Sequence, residues 1–290
     1  MAQTTLATLA TTVPTEMIVA TVIEEARPFN VVLPLVTKAV QPQGEGLVWD
    51  KQMLPTTSAS SVAEAADITP AARTTTNATI TIAEVGLATE LTDLAQEASR
   101  LGDQLQLWAK SQGRAIAQKI TGDLCALFAG LNGSTAVGTT AVNMTVSDFI
   151  EAIYTVDTAN APGNRKCVLH TRQVADLANA IVAAGGSIYS NLAELIRDGR
   201  LPNGTPAAGF VGELFGVPIY VTTEVDTANS AADRCGALFT EEAMAFVQLR
   251  PVRVEYDRDA SKRAIEVVCT TAYGVGEIVD GYGVPIETDA

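Results

Sequence analysis

LTDLAQEASRLGDQLQLWAKSQGRAIAQKITGDLCALFAGL, residues 91–131, carries no proline and one apolar stripe at helical spacing: Leu91, Leu94, Ala98, Leu101, Leu105, Trp108, Ala115, Ile116, Ile120, Leu124, Leu127, Phe128 and Leu131. Thr92 with Asp93 suits an N-terminus, and Asn132-Gly133 supplies a stop. At about 1.5 Å per residue, a helix of roughly 40 residues runs about 60 Å, several times the mean helix length. Gly102, Gly113 and Gly122 are places where it could bend or break, so the stretch predicts one very long helix or two nearly collinear ones. Polar Gln112 and Lys119 interrupt a 3–4 seam, which sets a coiled coil aside.

Upstream, residues 1–46 do not read as a domain. Pro14, Pro28, Pro34 and Pro42 leave room for one short amphipathic helix opening at Thr15, with Ile18, Val19, Val22, Ile23 and Ala26 on one side. Such a helix in an extended arm cannot bury its own stripe, so it must pack on the rest of the fold or on another subunit. Two strand-like runs follow. Leu47–Met53 puts Leu47, Trp49 and Met53 on one face, and Ala78–Ala83 alternates with period two. Between them lie residues 54–77, rich in Thr, Ser and Ala. A structureless connection of that length is unusual inside a domain, and the alternation on both flanks favours a projecting hairpin ordered by a neighbouring molecule over a disordered loop.

Downstream the pattern is mixed. Thr145 and Asp148 resemble a capping box before a helix bearing Phe149, Ile150, Ile153 and Val156. Cys167–His170 reads as a buried strand, and Thr171 then caps a helix with Val174, Leu177, Ala178 and Ile181, closed by Gly185-Gly186. A short helix over 191–198 ends at Gly199, and a Gly/Pro-rich irregular stretch runs to Gly216. Val217–Val221 and Gly236–Phe239 are strands, the first with Pro218 near its start as an edge strand allows. The tail is a long hairpin: Val252, Val254 and Tyr256 alternate with Arg253, Glu255 and Asp257, a polar turn spans Asp257 to Arg263, and Ile265, Val267, Cys269, Thr271 and Tyr273 line the partner.

Composition narrows the function. With 47% hydrophobic residues and a mean hydropathy of +0.20, the 290-residue chain can bury a sizeable core. No apolar run reaches the roughly 20 residues of a membrane span, and residues 1–13 lack the basic and apolar regions of a signal peptide, so a cytoplasmic protein is expected. A formal charge of −14 opposes any role that grips nucleic acid through phosphates. Cys125, Cys167, Cys235 and Cys269 form no CxxC, and one histidine, His170, is present, so zinc is not expected and the cysteines read as small buried hydrophobes. There is no Gly-x-Ser-x-Gly and no Walker lysine motif; Gly274-Val275-Gly276 lacks the third glycine of a dinucleotide fingerprint and leads into no helix. His170, at a strand-to-helix junction, reads as structural, and Asp257-Arg258-Asp259 as a solvated turn. No catalytic, cofactor or metal residues are assigned. The basic residues Arg250, Arg253, Arg258, Lys262 and Arg263 form either a salt-bridged hairpin or a contact with an acidic neighbour.

The order of these parts resembles the major capsid proteins of tailed bacteriophages, an α+β fold named after phage HK97. The resemblance is most specific at Val168–Leu177, at Phe215-Gly216-Val217-Pro218-Ile219, and in a closing segment with Ala237-Leu238-Phe239, Glu241–Phe246, Arg250-Pro251, Glu255, Arg258-Asp259-Ala260 and Tyr273–Gly276. It implies an N-terminal arm (1–46), an extended E-loop hairpin (47–85), a P-domain with a long spine helix (86–145), an α/β A-domain (146–250) and closing strands returning to the P-domain (251–290).

It further implies a non-enzymatic subunit that self-assembles into hexamers and pentamers of an icosahedral head around dsDNA in the bacterial host cytoplasm, with no cofactor. Arms and E-loops would overlap neighbours, making Ile18, Ile23, Trp49, Lys51, Arg73, Arg253, Arg258 and Lys262 the inter-subunit contact residues. Implied partners are further copies of the chain, a portal, a decoration protein and a scaffold. The chain starts almost at the arm, which implies a separate scaffold or none. Some members lock their shells through a lysine–asparagine isopeptide bond; Lys51 lies on the E-loop's first strand, and no matching acid and asparagine are identified. The rivals are an encapsulin-type compartment enclosing protein cargo and a soluble α/β enzyme, the latter supported by the strand–helix units after Cys167.

Overall fold

The computed structural model describes residues 30–54, 74–98, 104–183 and 209–289, with scattered positions between 59 and 72. The expected helix at Thr15, the glycine stop after residue 183 and the helix over 191–198 lie outside them. In chain order the strands are β1 (Thr37–Val40), β2 (Val48–Met53), β3 (Thr76–Thr81), β4 (Ala83–Thr92), β5 (Arg165–Leu169), β6 (Phe210–Leu214), β7 (Val217–Val221), β8 (Thr227–Ala228), β9 (Asp233–Thr240), β10 (Met244–Asp259), β11 (Ala264–Glu277) and β12 (Gly283–Asp289). The helices are α1 (Asp93–Ala98), α2 (Gln104–Cys125), α3 (Val146–Thr158) and α4 (Thr171–Ala183).

The deciding stretch is helical with different bounds. Leu91 closes β4, a strand that the sequence reading does not contain; its pairing with β11, from Leu91 opposite Ile265 to Ala83 opposite Tyr273, overrides the helical stripe. Thr92 does cap the first helix, accepting the Ala95 N–H at 3.3 Å. At the far end α2 stops at Cys125, short of Asn132-Gly133, because Phe128 turns inward to meet Phe239, ring centroids 5.6 Å apart. Gln112, which interrupts a 3–4 seam, is buried on the inner side of α2: its Nε2 donates to Thr89 Oγ1 at 3.1 Å and to the Val267 carbonyl at 3.2 Å, binding helix to sheet. About three turns further along α2, the Tyr273 hydroxyl donates to Asp123 at 2.7 Å.

The first sheet runs β1-β10-β11-β4, antiparallel except for the parallel pair β1–β10. Its inner face, with Val254, Ile265, Val267, Cys269 and Tyr273, packs against Ala109, Ile116, Ile120 and Leu124 of α2. The hairpin β10–β11 is longer than expected, and β10 shifts register on either side of Arg250, next to Pro251, which has no N–H to give the ladder. The second sheet runs β12-β9-β5-β7-β6, with β8 on β9. Cys167, Leu169 and Leu238 face α3 and α4, whereas Val168, Ala237 and Phe239 face the first core, so both sides of this sheet are buried.

Local readings there mostly hold. Thr145 and Asp148 form the reciprocal capping box of α3. Two are corrected. The stretch read as irregular up to Gly216 contains β6, joined to β7 by a two-residue turn whose residues Phe215 and Gly216 have φ of 52° and 76°, the twist that tight hairpins favour. Consequently β6, not β7, is the edge; Pro218 is tolerated inside because β5 pairs only with residues 219–221.

The third unit is the two-stranded ribbon β2–β3, whose strands are hydrogen-bonded to each other and to neither large sheet. The expected hairpin partners are therefore correct. The ribbon lies across the outer face of the first sheet, where Ala78, Ile80 and Ile82 bury a small separate core with Ala245, Val247, Ala272 and Ile278.

Candidate assembly surface

The basic residues of the tail hairpin are set by strand register. Arg250, Ala272 and Glu84 occupy one row across β10, β11 and β4, so Arg250 meets Glu84 above the small side chain between them. Arg258 grips Asp93 of α1 through two bonds of 2.8 and 3.2 Å, which holds the guanidinium pKa above its ordinary value. Lys262 reaches Glu90 at 3.1 Å and is raised likewise, while Arg253 pairs with Glu255 of its own strand. In the turn, Asp259 accepts the Ser261 hydroxyl at 2.6 Å and the backbone N–H groups of Ser261 and Lys262, which pulls its carboxyl below the usual range. Of the two readings of this cluster, the salt-bridged hairpin thus describes the isolated subunit. One row is unbalanced: Asp257, Glu266 and Glu90 stand side by side across the three strands, with Lys262 against Glu90.

On the ribbon, Trp49, Lys51 and Met53 share the half-buried face, opposite Ile80, Ala78 and Thr76. Trp49 and Met53 pack on the small third core. At the far end Leu54 is 84% exposed. The structure thus holds Trp49 and Lys51 together on one element and Arg253, Arg258 and Lys262 on another; Ile18, Ile23 and Arg73 lie outside the described residues.

Other apolar groups meet water where the sequence suggests burial. Leu94 of α1 is 76% exposed and Trp108 of α2 39%, although both belong to the stripe quoted above. On α3, Ile150 faces outward with Tyr154, which is 68% exposed, whereas Phe149, Ala152 and Val156 face the core. The i,i+4 spacing of Ile150 and Tyr154 was the available signal for a second apolar face.

Among the described residues the titratable groups show no reactive arrangement. All four cysteines are buried and unpaired, and burial raises each thiol, Cys269 to about 11 and Cys235 to about 12, so none is a thiolate at neutral pH. His170 Nδ1 accepts the Arg172 N–H at 3.3 Å, and burial together with Arg234 lowers its pKa, keeping the ring neutral. Among the described residues no three His, Cys, Asp or Glu side chains group as metal ligands, and no helix is long and apolar enough to cross a membrane.

A sequence-family profile described as phage capsid protein matches residues 75–284, most of the chain and all of its two main sheets except β1 and the end of β12. The chain belongs to the phage capsid protein family. No curated protein matches it. Among solved structures the capsid of Ralstonia phage GP4 is similar with a TM-score of 0.68 at 9% identity, over 88% of this chain and 87% of that one. The head structure of Helicobacter pylori bacteriophage KHP40 gives 0.64 at 11% identity, over 90% of each chain. The capsid of cyanophage P-SCSP1u gives 0.62 at 16% identity, over 88% of this chain and 86% of that one. The fold is thus the HK97-like capsid fold. This capsid protein is a structural, self-associating component of a virion head and not an enzyme.

Proposed function

We propose that this capsid protein forms the hexamers and pentamers of an icosahedral head that encloses dsDNA, assembled in the host cytoplasm with a portal, a decoration protein and, where one is used, a separate scaffold. The observation that carries the reading is the ribbon β2–β3. It pairs with neither sheet and holds only a narrow foothold on its own subunit, so it is built to lie on another. In domain terms, residues 1–46 act as the arm, 47–85 as the E-loop, 86–145 as the P-domain, 146–250 as the A-domain and 251–290 as the closing strands. Ile18 and Ile23 of the arm, Trp49, Lys51 and Arg73 of the E-loop, and Arg253, Arg258 and Lys262 of the hairpin carry the contacts between subunits.

The hairpin charges support this role because they are exposed ion pairs. Such pairs hold weakly in water, so their partners can be exchanged for a neighbour's carboxylates at small cost. Purified particles examined by negative-stain microscopy and native mass spectrometry test the proposal. Closed shells of megadalton mass containing DNA are expected. A chain that stays monomeric even when co-expressed with its neighbouring head genes would overturn it, and shells filled with a co-purified enzyme would replace it with a protein compartment.

A further inference from the structure

The pair Gly274 and Gly276 lies inside β11, where the chain passes from β3 over the outer face of the first sheet into β4. β4 pairs with β11 as far as Ala83 opposite Tyr273. One residue earlier, at Ile82, the chain leaves the sheet and β3 folds over the outer face of β11. Tyr273 and Val275 point inward to the first core, so Gly274 and Gly276 point outward, under β3. A Cβ on Gly274 would stand 2.6 Å from the Thr81 carbonyl oxygen, and one on Gly276 would stand 2.7 Å from Ile80 Cγ1. Neither residue has a positive φ, so close approach rather than backbone freedom requires glycine here.

Ile80 fills the resulting notch and is 1% exposed. Ala78 and Ile82, with Trp49 and Met53 from β2, pack on the same small core, and Ile80 is the most deeply buried of them. The ribbon's covalent links are Ile82 on one side and the 41–47 connection on the other, where Gly44 and Gly46 have φ of 97° and 87° in open space. The remaining ties near its root are Ile82 N–H to the Leu47 carbonyl at 2.8 Å and Gln41 Nε2 to the Val48 carbonyl at 3.3 Å. With no ladder to either large sheet, the inclination of the ribbon is set by side-chain packing under β3, where Ile80 reaches deepest.

We propose that Ile80 in the Gly274–Gly276 notch is the lock that sets the inclination of the ribbon, which makes these three the positioning residues for its contact with the neighbouring subunit. The inference rests on reading the ribbon as an inter-subunit element. A change of tilt at the root is magnified at the tip, so a methyl group in the notch misplaces the tip without touching any subunit contact.

The test uses the full chain and exploits a difference between the two glycines. The added methyl of Gly276→Ala collides with Ile80 side-chain atoms; Ile80→Ala removes them and leaves only the Ile80 Cβ, an ordinary 3.7 Å away. The methyl of Gly274→Ala collides with the backbone oxygen of Thr81, which no truncation of Ile80 relieves. Gly276→Ala is expected to give subunits with wild-type circular dichroism and about tenfold or more fewer regular particles, a factor that about 1.4 kcal/mol per contact suffices to produce. In Ile80→Ala with Gly276→Ala the added methyl meets the residue-80 Cβ at an ordinary 3.7 Å and refills the notch in place of the lost side chain, so regular particles return. Ile80→Ala with Gly274→Ala keeps the clash with the Thr81 carbonyl, and they do not.

Wild-type particles from Gly276→Ala overturn the lock, as does a folded Ile80→Ala, Gly276→Ala chain that assembles no better than its Gly274 counterpart. If Gly276→Ala alone fails to fold, the double variants decide the matter. A chain lacking residues 56–73 separates the two levels. Regular particles from it overturn the ribbon reading and the lock together; failure of that chain alongside normal assembly of Gly276→Ala removes the lock alone.

Discussion

Glu277 shows how one side chain is held against its own charge. It lies over Gly130, where an added Cβ would stand on its carboxylate, and Asp280 nearby spends both oxygens on the Gly133 N–H at 2.9 and 3.1 Å. Burial, and then the Asp280 charge, raises the Glu277 pKa. A carboxyl raised in the folded state binds more protons there than in the unfolded chain. It therefore costs stability as pH rises from the ordinary glutamate value of about 4.3 through the folded value, and the full cost persists above that. Glu277→Gln removes a group that pays this cost. The variant is expected to melt at a higher temperature than wild type at pH 7, with the difference vanishing below about pH 4. Thermal melts of unassembled subunit at both pH values check this, and an equal shift at both would show that the effect is packing, not charge.

At the scale of elements, Gln173 does for the second sheet what Gln112 does for the first. Its Oε1 accepts the His170 N–H at 3.0 Å, and its Nε2 donates to the carbonyls of Arg234 and Ile286 and to Thr288 Oγ1 at 3.0 to 3.1 Å. One fully buried amide thus joins the start of α4 to β9 and β12, and a Cβ on Gly236 would displace it. Gln173→Leu keeps similar bulk and strands those partners, so a loss of about 3 kcal/mol is expected, read as a lower urea midpoint with an unchanged slope. A loss below about 0.5 kcal/mol, the scatter of surface substitutions, would show that water or backbone shifts replace the amide. The sequence already held the cap at Thr145, the strand at Cys167, the tail hairpin and the ribbon strands, all of which rest on local patterns. It did not reveal β4, whose inward residues Val85, Leu87 and Leu91 alternate with Gly86 and Ala88 and whose partner β11 is remote in the chain. The exposure of Trp108 was hidden because periodicity marks an apolar stripe and not what covers it, whereas that of Tyr154 left a signal in its i,i+4 spacing from Ile150. The glycine notch was visible only as two unexplained glycines, because its meaning depends on Ile80.

For the whole molecule, the question is how a shell of strongly acidic subunits treats the nucleic acid it is proposed to contain. Each chain carries a formal −14, and among the described residues eight of its nineteen lysines and arginines, Lys119, Arg165, Lys166, Arg172, Arg250, Arg253, Arg258 and Lys262, pair with a carboxylate of the same chain. Binding to duplex DNA gains from counterions released by unpaired lysine and arginine, and each paired cation must first give up its carboxylate. The acidic excess therefore offers little net attraction to phosphate, and the neighbouring subunits' carboxylates repel it over a Debye length of about 10 Å at 0.1 M salt. Containment then depends on closure of the shell and not on adhesion. Unassembled subunit is expected to leave a duplex oligonucleotide unshifted on a native gel at 50 mM salt, where electrostatic binding is strongest. Retardation that weakens steeply with added salt would show that the chain's cations reach phosphate despite its acidic balance, and would make adhesion part of how the head holds its contents.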